Sequence, residues 1–266
     1  MSERRQNPPV LKRYGQHFLK DRAVLADIAS AVDSGRSDTV VEIGPGRGVL
    51  TDVLAQRGSR VIAIEIDRAL AAQLREKYGG VSNVEIIEGD ALAMPISSRV
   101  NGPYIVAGNV PYYITTPIIF HVLHPPLPTR AVFLVQREVA SRIVAPPGSK
   151  EYGALSVNVQ AIASTQIIRR VPPSAFQPRP SVESAVIRIT PLATPAVPDS
   201  QLPAFRAVVQ SAFGMRRKQM INVVRGLTGL SAVEAERILA STNVDPRARP
   251  ETLSVEKFRD LANALR

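Results

Sequence analysis

Three places in this chain combine residue types that can hold a ligand with a position at the end of a short apolar run. The first is Glu42-Ile-Gly44-Pro-Gly46-Arg-Gly48, where glycines let the backbone turn tightly and come close to a bound molecule. The second and third are single acids, Glu65 closing Arg60-Val-Ile-Ala-Ile and Asp90 just after Val84-Glu-Ile-Ile. If the runs are parallel strands, both acids fall at strand C-terminal ends, where open α/β sheets bind their ligands. There a carboxylate after the second strand can accept both hydroxyls of a ribose, and one after the third can accept from the exocyclic amine of an adenine. A dinucleotide fingerprint would need its third glycine at Val49. With no Gly-Lys-Ser/Thr and no basic residue poised as a phosphate clamp, the site suits an adenosine joined to something other than pyrophosphate, and S-adenosylmethionine is the natural candidate. Each acid singly is equally an exposed loop residue; it is their joint placement that points to a nucleoside.

The fourth apolar run ends in Asn109-Val110-Pro111-Tyr112. Such a sequence can be a simple proline turn, but it also supplies what methylation of an adenine N6 requires. That nitrogen is a poor nucleophile because its lone pair is delocalised into the ring. The Asn109 side-chain oxygen and the Val110 carbonyl, with Pro111 following, can each accept one N6 hydrogen, and Tyr112 can stack on the base. Orientation toward the sulfonium then does most of the work, and the proton is lost after charge has moved to nitrogen. Enzymes that modify a base read it in this way, by its edge and by an aromatic face.

The elements that must position these residues follow from patterning. Strands are expected over Thr39 to Gly44, Arg60 to Glu65, Val84 to Ile87, Tyr104 to Gly108 and Ala131 to Gln136, with helices over Val49 to Gln56, Arg68 to Tyr78, Pro117 to Leu123 and Glu138 to Ile143. Alternation of this kind makes a Rossmann-like parallel sheet covered by helices, of class α/β. Two late strands, Thr165 to Val171 and Ser184 to Thr190, would add an antiparallel edge. Pro191 to Pro203 reads as a semi-rigid linker. Beyond it four helices are expected, over Ala204 to Phe213, Arg217 to Arg225, Ala232 to Ala240 and Val255 to Leu265. The domain plan is therefore a basic arm over 1–13, a methyltransferase domain over 14–190, a linker over 191–203 and a small all-helical docking domain over 204–266.

Composition narrows the chemistry further. Of 266 residues, 45% are hydrophobic and none is Cys, which removes disulfides, thiolate metal sites and cysteine nucleophiles. Three scattered histidines (His17, His121, His124) leave little for a metal, and no metal is expected. The uncharged stretch Val100 to Thr129 is broken by Asn109 and three prolines, so no membrane span is expected; nor does the polar, basic start resemble a signal peptide, and a cytoplasmic location is expected. Of the net charge of +10, residues 1–22 carry +4, residues 201–266 carry +5 and the remainder +1. Solubility is the plain reading of such an excess. The sharper one is a polyanion footprint, with Arg4, Arg5, Lys12 and Arg13 at one end and Arg216, Arg217, Lys218 and Arg225 at the other holding a nucleic-acid backbone.

Taken together, Gly15-Gln-His-Phe-Leu19, Val41-Glu-Ile-Gly-Pro-Gly46, Ile64-Glu-Ile-Asp67, Gly89-Asp90, Asn109-Val-Pro-Tyr112, Gln136-Arg-Glu-Val139, Tyr152-Gly-Ala-Leu-Ser156, Val171-Pro-Pro-Ser-Ala-Phe176 with Pro178 and Pro180, and Arg216-Arg-Lys218 resemble the small-subunit ribosomal RNA adenine dimethyltransferase family. The likeness runs from about Tyr14 to the C-terminus. It implies S-adenosylmethionine as methyl donor, S-adenosylhomocysteine as product, and N6,N6-dimethylation of two adjacent adenines in a hairpin loop near the 3′ end of small-subunit rRNA, in an assembling subunit and by a monomer. It also implies residue roles: His17, Leu19, Gly44 and Gly46 around the cofactor, Glu65 on its ribose, Asp90 on its adenine, Asn109 with Tyr112 as target-base clamp, and Phe176 closing on the opposite face. Many members carry Asn where His17 stands, and an imidazole can still meet the cofactor's carboxylate. Tyr113, where relatives often carry Asn, is expected at the rim. Other functions remain open at this level: a docking or ribosome-assembly factor, or a large-subunit rRNA methyltransferase of the erythromycin-resistance type. An NAD(P)-dependent oxidoreductase is disfavoured by the glycine spacing and the lack of a Tyr-x-x-x-Lys relay.

Overall fold

The computed structural model describes residues 17–266, so the basic arm over 1–13, with Arg4, Arg5, Lys12 and Arg13, lies outside the described residues. The chain divides into two compact units, one comprising the residues up to Ala140 together with Gln166–Thr190, the other Ser141–Thr165 together with Pro191–Arg266.

In the first unit the elements run β1 (Phe18–Leu19), α1 (Arg22–Val32), β2 (Thr39–Ile43), α2 (Val49–Gln56), β3 (Arg60–Glu65), α3 (Arg68–Tyr78), β4 (Val84–Glu88), β5 (Tyr104–Asn109), α4 (Thr115–Val122), β6 (Arg130–Gln136) and the start of α5 (Arg137–Val144). After α6 (Ala154–Gln160) come β7 (Ala163–Val171), β8 (Phe176–Gln177) and β9 (Ser184–Pro191). Seven strands form one sheet in the order β4-β3-β2-β5-β6-β9-β7. β2 pairs in parallel with both β3 and β5, whereas β9 runs antiparallel to β6, the antiparallel addition that the late strands predict. Chain direction across the sheet therefore reverses at β2, which opens a crevice at the C-terminal ends of β2, β3 and β5. β2, β3, β5 and β6 are Val- and Ile-rich and buried along most of their length, as strands covered on both faces must be.

Alignment of the strand ends is what builds the site. Ile43 lies opposite both Ile64 and Gly108, so the residues that follow β2, β3 and β5 emerge side by side. Gly108 permits this, because a Cβ there would come within 2.6 Å of the Ile43 carbonyl oxygen. α3 starts on Asp67, whose carboxylate accepts from the Ala69 and Leu70 amides, an N-cap worth about 1 kcal/mol. α1 was not foreshadowed by patterning although it buries Val24, Leu25, Ile28, Ala29, Ala31 and Val32 in the core; Asp21 caps it. The two-stranded β1–β8 ladder, with Leu19 opposite Phe176, was also unforeseen, because two-residue strands carry no periodic signal.

The second unit contains α6 and α7 (Leu202–Gly214), α8 (Met220–Thr228), α9 (Ala232–Ser241) and α10 (Val255–Ala264). α7 is its hub, packing on α6, α8 and α10. Phe213 lies 5.7 Å from Phe258 between ring centroids and edge-on to Tyr152, whose hydroxyl donates to the Leu253 carbonyl. Ser231 and Glu234 form the expected capping box at the start of α9.

Three expectations about this half are corrected. The boundary is not a single cut at 190, since residues 141–165 belong to the second unit. Pro191 to Pro203, expected as a semi-rigid linker, is packed within its unit: Leu192 and Ala196 donate backbone hydrogen bonds to the Ile162 and Ala161 carbonyls, and Val197 is fully buried. Finally, α8 begins at Met220 rather than Arg217, because Gln219 is extended and serves as its N-cap residue; Arg216, Arg217 and Lys218 lie in the turn before it. Among the described residues no helix is long and apolar enough to cross a membrane.

Gly48, at the N-cap of α2, has φ 75°, and a Cβ there would stand 2.5 Å from the Tyr78 hydroxyl and 2.9 Å from Leu74. Gly48→Ala is expected to destabilise the chain by about 2 kcal/mol or more, read from urea unfolding midpoints. Gly102→Ala shares the left-handed backbone but meets nothing within 4 Å, and about 1 kcal/mol is expected there.

Candidate functional site

One cleft at the strand ends gathers most of the predicted residues. His17, Leu19, Gly44, Gly46, Glu65, Asp90, Asn109, Val110, Pro111 and Tyr112 all line it. Their order along the sheet edge is Asp90 after β4, Glu65 ending β3, the glycine turn after β2, and Asn109 ending β5.

Glu65 is 4% exposed, and its two carboxylate oxygens accept from the backbone amides of Gly46 (3.0 Å) and Asp67 (2.9 Å). Burial pushes its pKa above the ordinary carboxylate value, and these amide hydrogen bonds oppose that rise. A carboxylate has about four acceptor positions, so two further donors, such as vicinal hydroxyls, can still be accommodated. Asp90 is exposed, and its Oδ1 accepts from the Leu92 amide, an arrangement that leaves the other oxygen for a ligand amine.

Asn109 directs its side-chain amide nitrogen to the His17 carbonyl at 2.9 Å. That bond engages one of the two amide hydrogens and fixes the group, and the side-chain oxygen can accept from a ligand, the polarity that holding an amine hydrogen requires. Tyr112 is fixed from two sides: its hydroxyl lies 2.6 Å from Ser184 Oγ, and its ring stacks against His17 with centroids 5.7 Å apart and 26° between planes. His17 Nδ1 is also 2.9 Å from the Pro178 carbonyl, so this nitrogen carries the hydrogen. Burial raises the Tyr112 pKa, and the phenol stays neutral.

Phe176 does not join the clamp. Its side chain is fully buried in the core with Leu19, Leu25, Val171 and Ala175, and it does not line the cleft. Pairing of β8 with β1 turns this ring inward, so it anchors the loop rather than presenting a face to a base. Tyr113 does sit at the rim, 61% exposed. Of the basic residues expected to meet RNA, Arg217, Lys218 and Arg225 are exposed, whereas Arg216 is half-buried, donates to the Lys150 carbonyl and faces Glu251 at 3.9 Å.

Three contributors escaped the residue patterns. Ser184, fully buried, holds Tyr112 through a contact 72 residues away in sequence, for which no local signal exists. Arg47 lines the cleft, although the glycine turn was read as lacking a poised cation. Glu42 lies in the cleft wall with Thr51 donating to it at 2.6 Å, and an acid in the buried run Thr-Val-Val-Glu-Ile was the available clue.

Comparison with known proteins agrees with this geometry. A family model described as "Ribosomal RNA adenine dimethylase" matches residues 10–266. The chain is 42% identical over 265 residues to the ribosomal RNA small subunit methyltransferase A of Moorella thermoacetica, covering 96% of this chain and 92% of that one. The corresponding Geobacter sulfurreducens protein is 40% identical over 260 residues, with 96% and 94% covered. Among solved structures, a dimethyladenosine transferase from Plasmodium falciparum superposes with a TM-score of 0.80 at 26% identity, covering 92% of this chain and 96% of that one. The 23S rRNA methyltransferase ErmE gives 0.75 at 28% identity, covering 93% and 99%.

Burial, reinforced by the nearby Glu65 charge and opposed by the Thr51 hydrogen bond, raises Glu42 to a pKa of about 7. Between the ordinary carboxylate value and about 7 the folded chain thus holds a proton that the unfolded chain has released, so stability is highest below this window and falls as pH rises through it. Urea midpoints from pH 4 to pH 8 are expected to show this decline, up to about 3 kcal/mol, and Glu42→Gln is expected to flatten it.

Proposed function

Because the chain belongs to the ribosomal RNA adenine dimethylase family, we propose that it transfers methyl groups from S-adenosylmethionine to the N6 atoms of two adjacent adenines in a hairpin loop near the 3′ end of small-subunit rRNA, in the cytoplasm and on an assembling subunit. The observation that carries this reading is the meeting, in one cleft, of the acids Glu65 and Asp90 at neighbouring strand ends with an Asn109 whose amide nitrogen donates to the His17 carbonyl. A small-subunit target is favoured over a large-subunit one because relatives at 40–42% identity bear small-subunit names, against 28% for ErmE.

The donor supplies an electrophilic methyl on a sulfonium, and the chain's own groups do the rest. Asp90 holds the cofactor's adenine amine and Glu65 its ribose hydroxyls, fixing the sulfonium's place along the sheet edge. The Asn109 oxygen and the Val110 carbonyl accept the two N6 hydrogens of the target adenine, which draws the nitrogen lone pair out of conjugation with the ring. Pro111 removes a backbone donor beside these acceptors. Tyr112, pinned by Ser184 and His17, supports one face of the base. No strong base is required, since the proton leaves only after the nitrogen has become positive. The fit of the group rests on this donor set: acceptors where ribose and amines fall, and no phosphate-binding lysine among them.

The exposed basic residues Arg217, Lys218 and Arg225 supply backbone contacts to the rRNA. A second reading, a factor that docks without methylating, is disfavoured by the intact nucleoside-binding acids.

Asn109→Ala is expected to abolish methyl incorporation into unmethylated small subunits while leaving cofactor affinity within a few fold, measured with tritiated donor and by calorimetry; an active variant would remove the assigned role. Changing Arg217, Lys218 and Arg225 to Gln is expected to weaken subunit binding and reduce the slope of log affinity against log salt by roughly 2, without altering cofactor affinity.

A further inference from the structure

Among the described residues, three acids, Glu42, Glu65 and Asp90, line the cleft, against one guanidinium, that of Arg47. We propose that Arg47 binds the carboxylate of the cofactor's amino-acid moiety, an inference that rests on the proposed use of S-adenosylmethionine.

The order of groups along the sheet edge supports it. Asp90 after β4 takes the adenine and Glu65 at the end of β3 the ribose, so an extended cofactor continues toward β2 and β5. The methyl group must face Asn109 at the end of β5, which leaves the amino-acid portion beside the turn after β2. Arg47 stands in that turn, directly after Gly46, whose amide is held by Glu65.

Arg47 is also a cation in want of a partner. Its Nε is buried and makes no hydrogen bond, and no ion pair joins it to a carboxylate among the described residues. Its guanidinium carbon sits 4.3 Å from the centre of the Phe18 ring, a cation–π contact that places the group at the cleft without engaging an N–H. A guanidinium carries paired donors that match a carboxylate bidentately. His17, the other residue suited to that carboxylate, is turned elsewhere: Nδ1 to the Pro178 carbonyl, its ring to Tyr112. For the cofactor's one negative group, Arg47 is the one Lys or Arg side chain lining the cleft among the described residues.

The test compares two ligands by calorimetry. S-adenosylhomocysteine keeps the amino-acid carboxylate; 5′-methylthioadenosine keeps adenine and ribose but lacks the whole amino acid. Arg47→Met removes the guanidinium but keeps an unbranched apolar chain at the turn, and it is expected to weaken S-adenosylhomocysteine roughly 10- to 100-fold while leaving 5′-methylthioadenosine within twofold. Arg47→Lys is expected to recover part of the loss. An unchanged affinity for S-adenosylhomocysteine would overturn the proposal, as would an equal loss for both ligands, which would make Arg47 a packing residue of the turn. If methylation fell while both affinities held, the guanidinium would serve the RNA instead, and the proposal would fail. Failure of the wild-type chain to bind either ligand would contradict the S-adenosylmethionine reading itself, an outcome distinct from all of these.

Discussion

A buried carboxylate holding two backbone amides is the constraint from which the site is built. Glu65 reaches from the end of β3 to the Gly46 amide in the neighbouring turn and to the Asp67 amide at the start of α3. A charge removed from water to this degree is unfavourable unless hydrogen bonds compensate it. Glu65 therefore locks the glycine turn and the helix start onto one point. The same carboxylate has acceptor capacity left over, so the group that organises the turn can also read a sugar.

Around this point the structure spends unusual effort on rigidity. Gly48 lets Tyr78 pack into the turn, where the phenol donates to the Gly48 carbonyl and lies 2.7 Å from Asp52; burial and the neighbouring acid keep it protonated. On the other side, residues 176–184 frame the clamp at both ends, Pro178 through His17 and Ser184 through Tyr112. The inward turn of Phe176 belongs to this frame. A loop anchored by a buried aromatic and two hydrogen bonds can hold Tyr112 in one orientation, and orientation is what transfer to a weak nucleophile demands.

The residues gathered at the cleft thus all belong to the first unit, whereas the surplus charge is concentrated toward the two ends of the sequence, residues 1–22 and 201–266. Within the second unit the helices gather on α7, and the segment over 191–203 is packed against residues 161 and 162 instead of spanning open space. Composition alone could not show this. Proline richness reports local stiffness, and whether a stiff segment is free or docked depends on what it meets.

Much was legible in one dimension. The seven strands of the sheet and its helices other than α1, the acids Glu65 and Asp90, the Asn109-Val110-Pro111-Tyr112 turn and the glycine turn follow from periodicity and residue chemistry, because backbone hydrogen bonding and burial act locally and leave repeating marks. Glu42 was half legible, an acid inside a buried run. What only the tertiary structure decided are the long-range partners: Ser184 on Tyr112, Arg47 on Phe18, the His17 carbonyl on Asn109, and the inward face of Phe176. These contacts depend on side-chain direction at positions brought together by folding. A two-residue strand such as β8 has no period from which direction can be read, so its side chains are placed by the neighbour it pairs with.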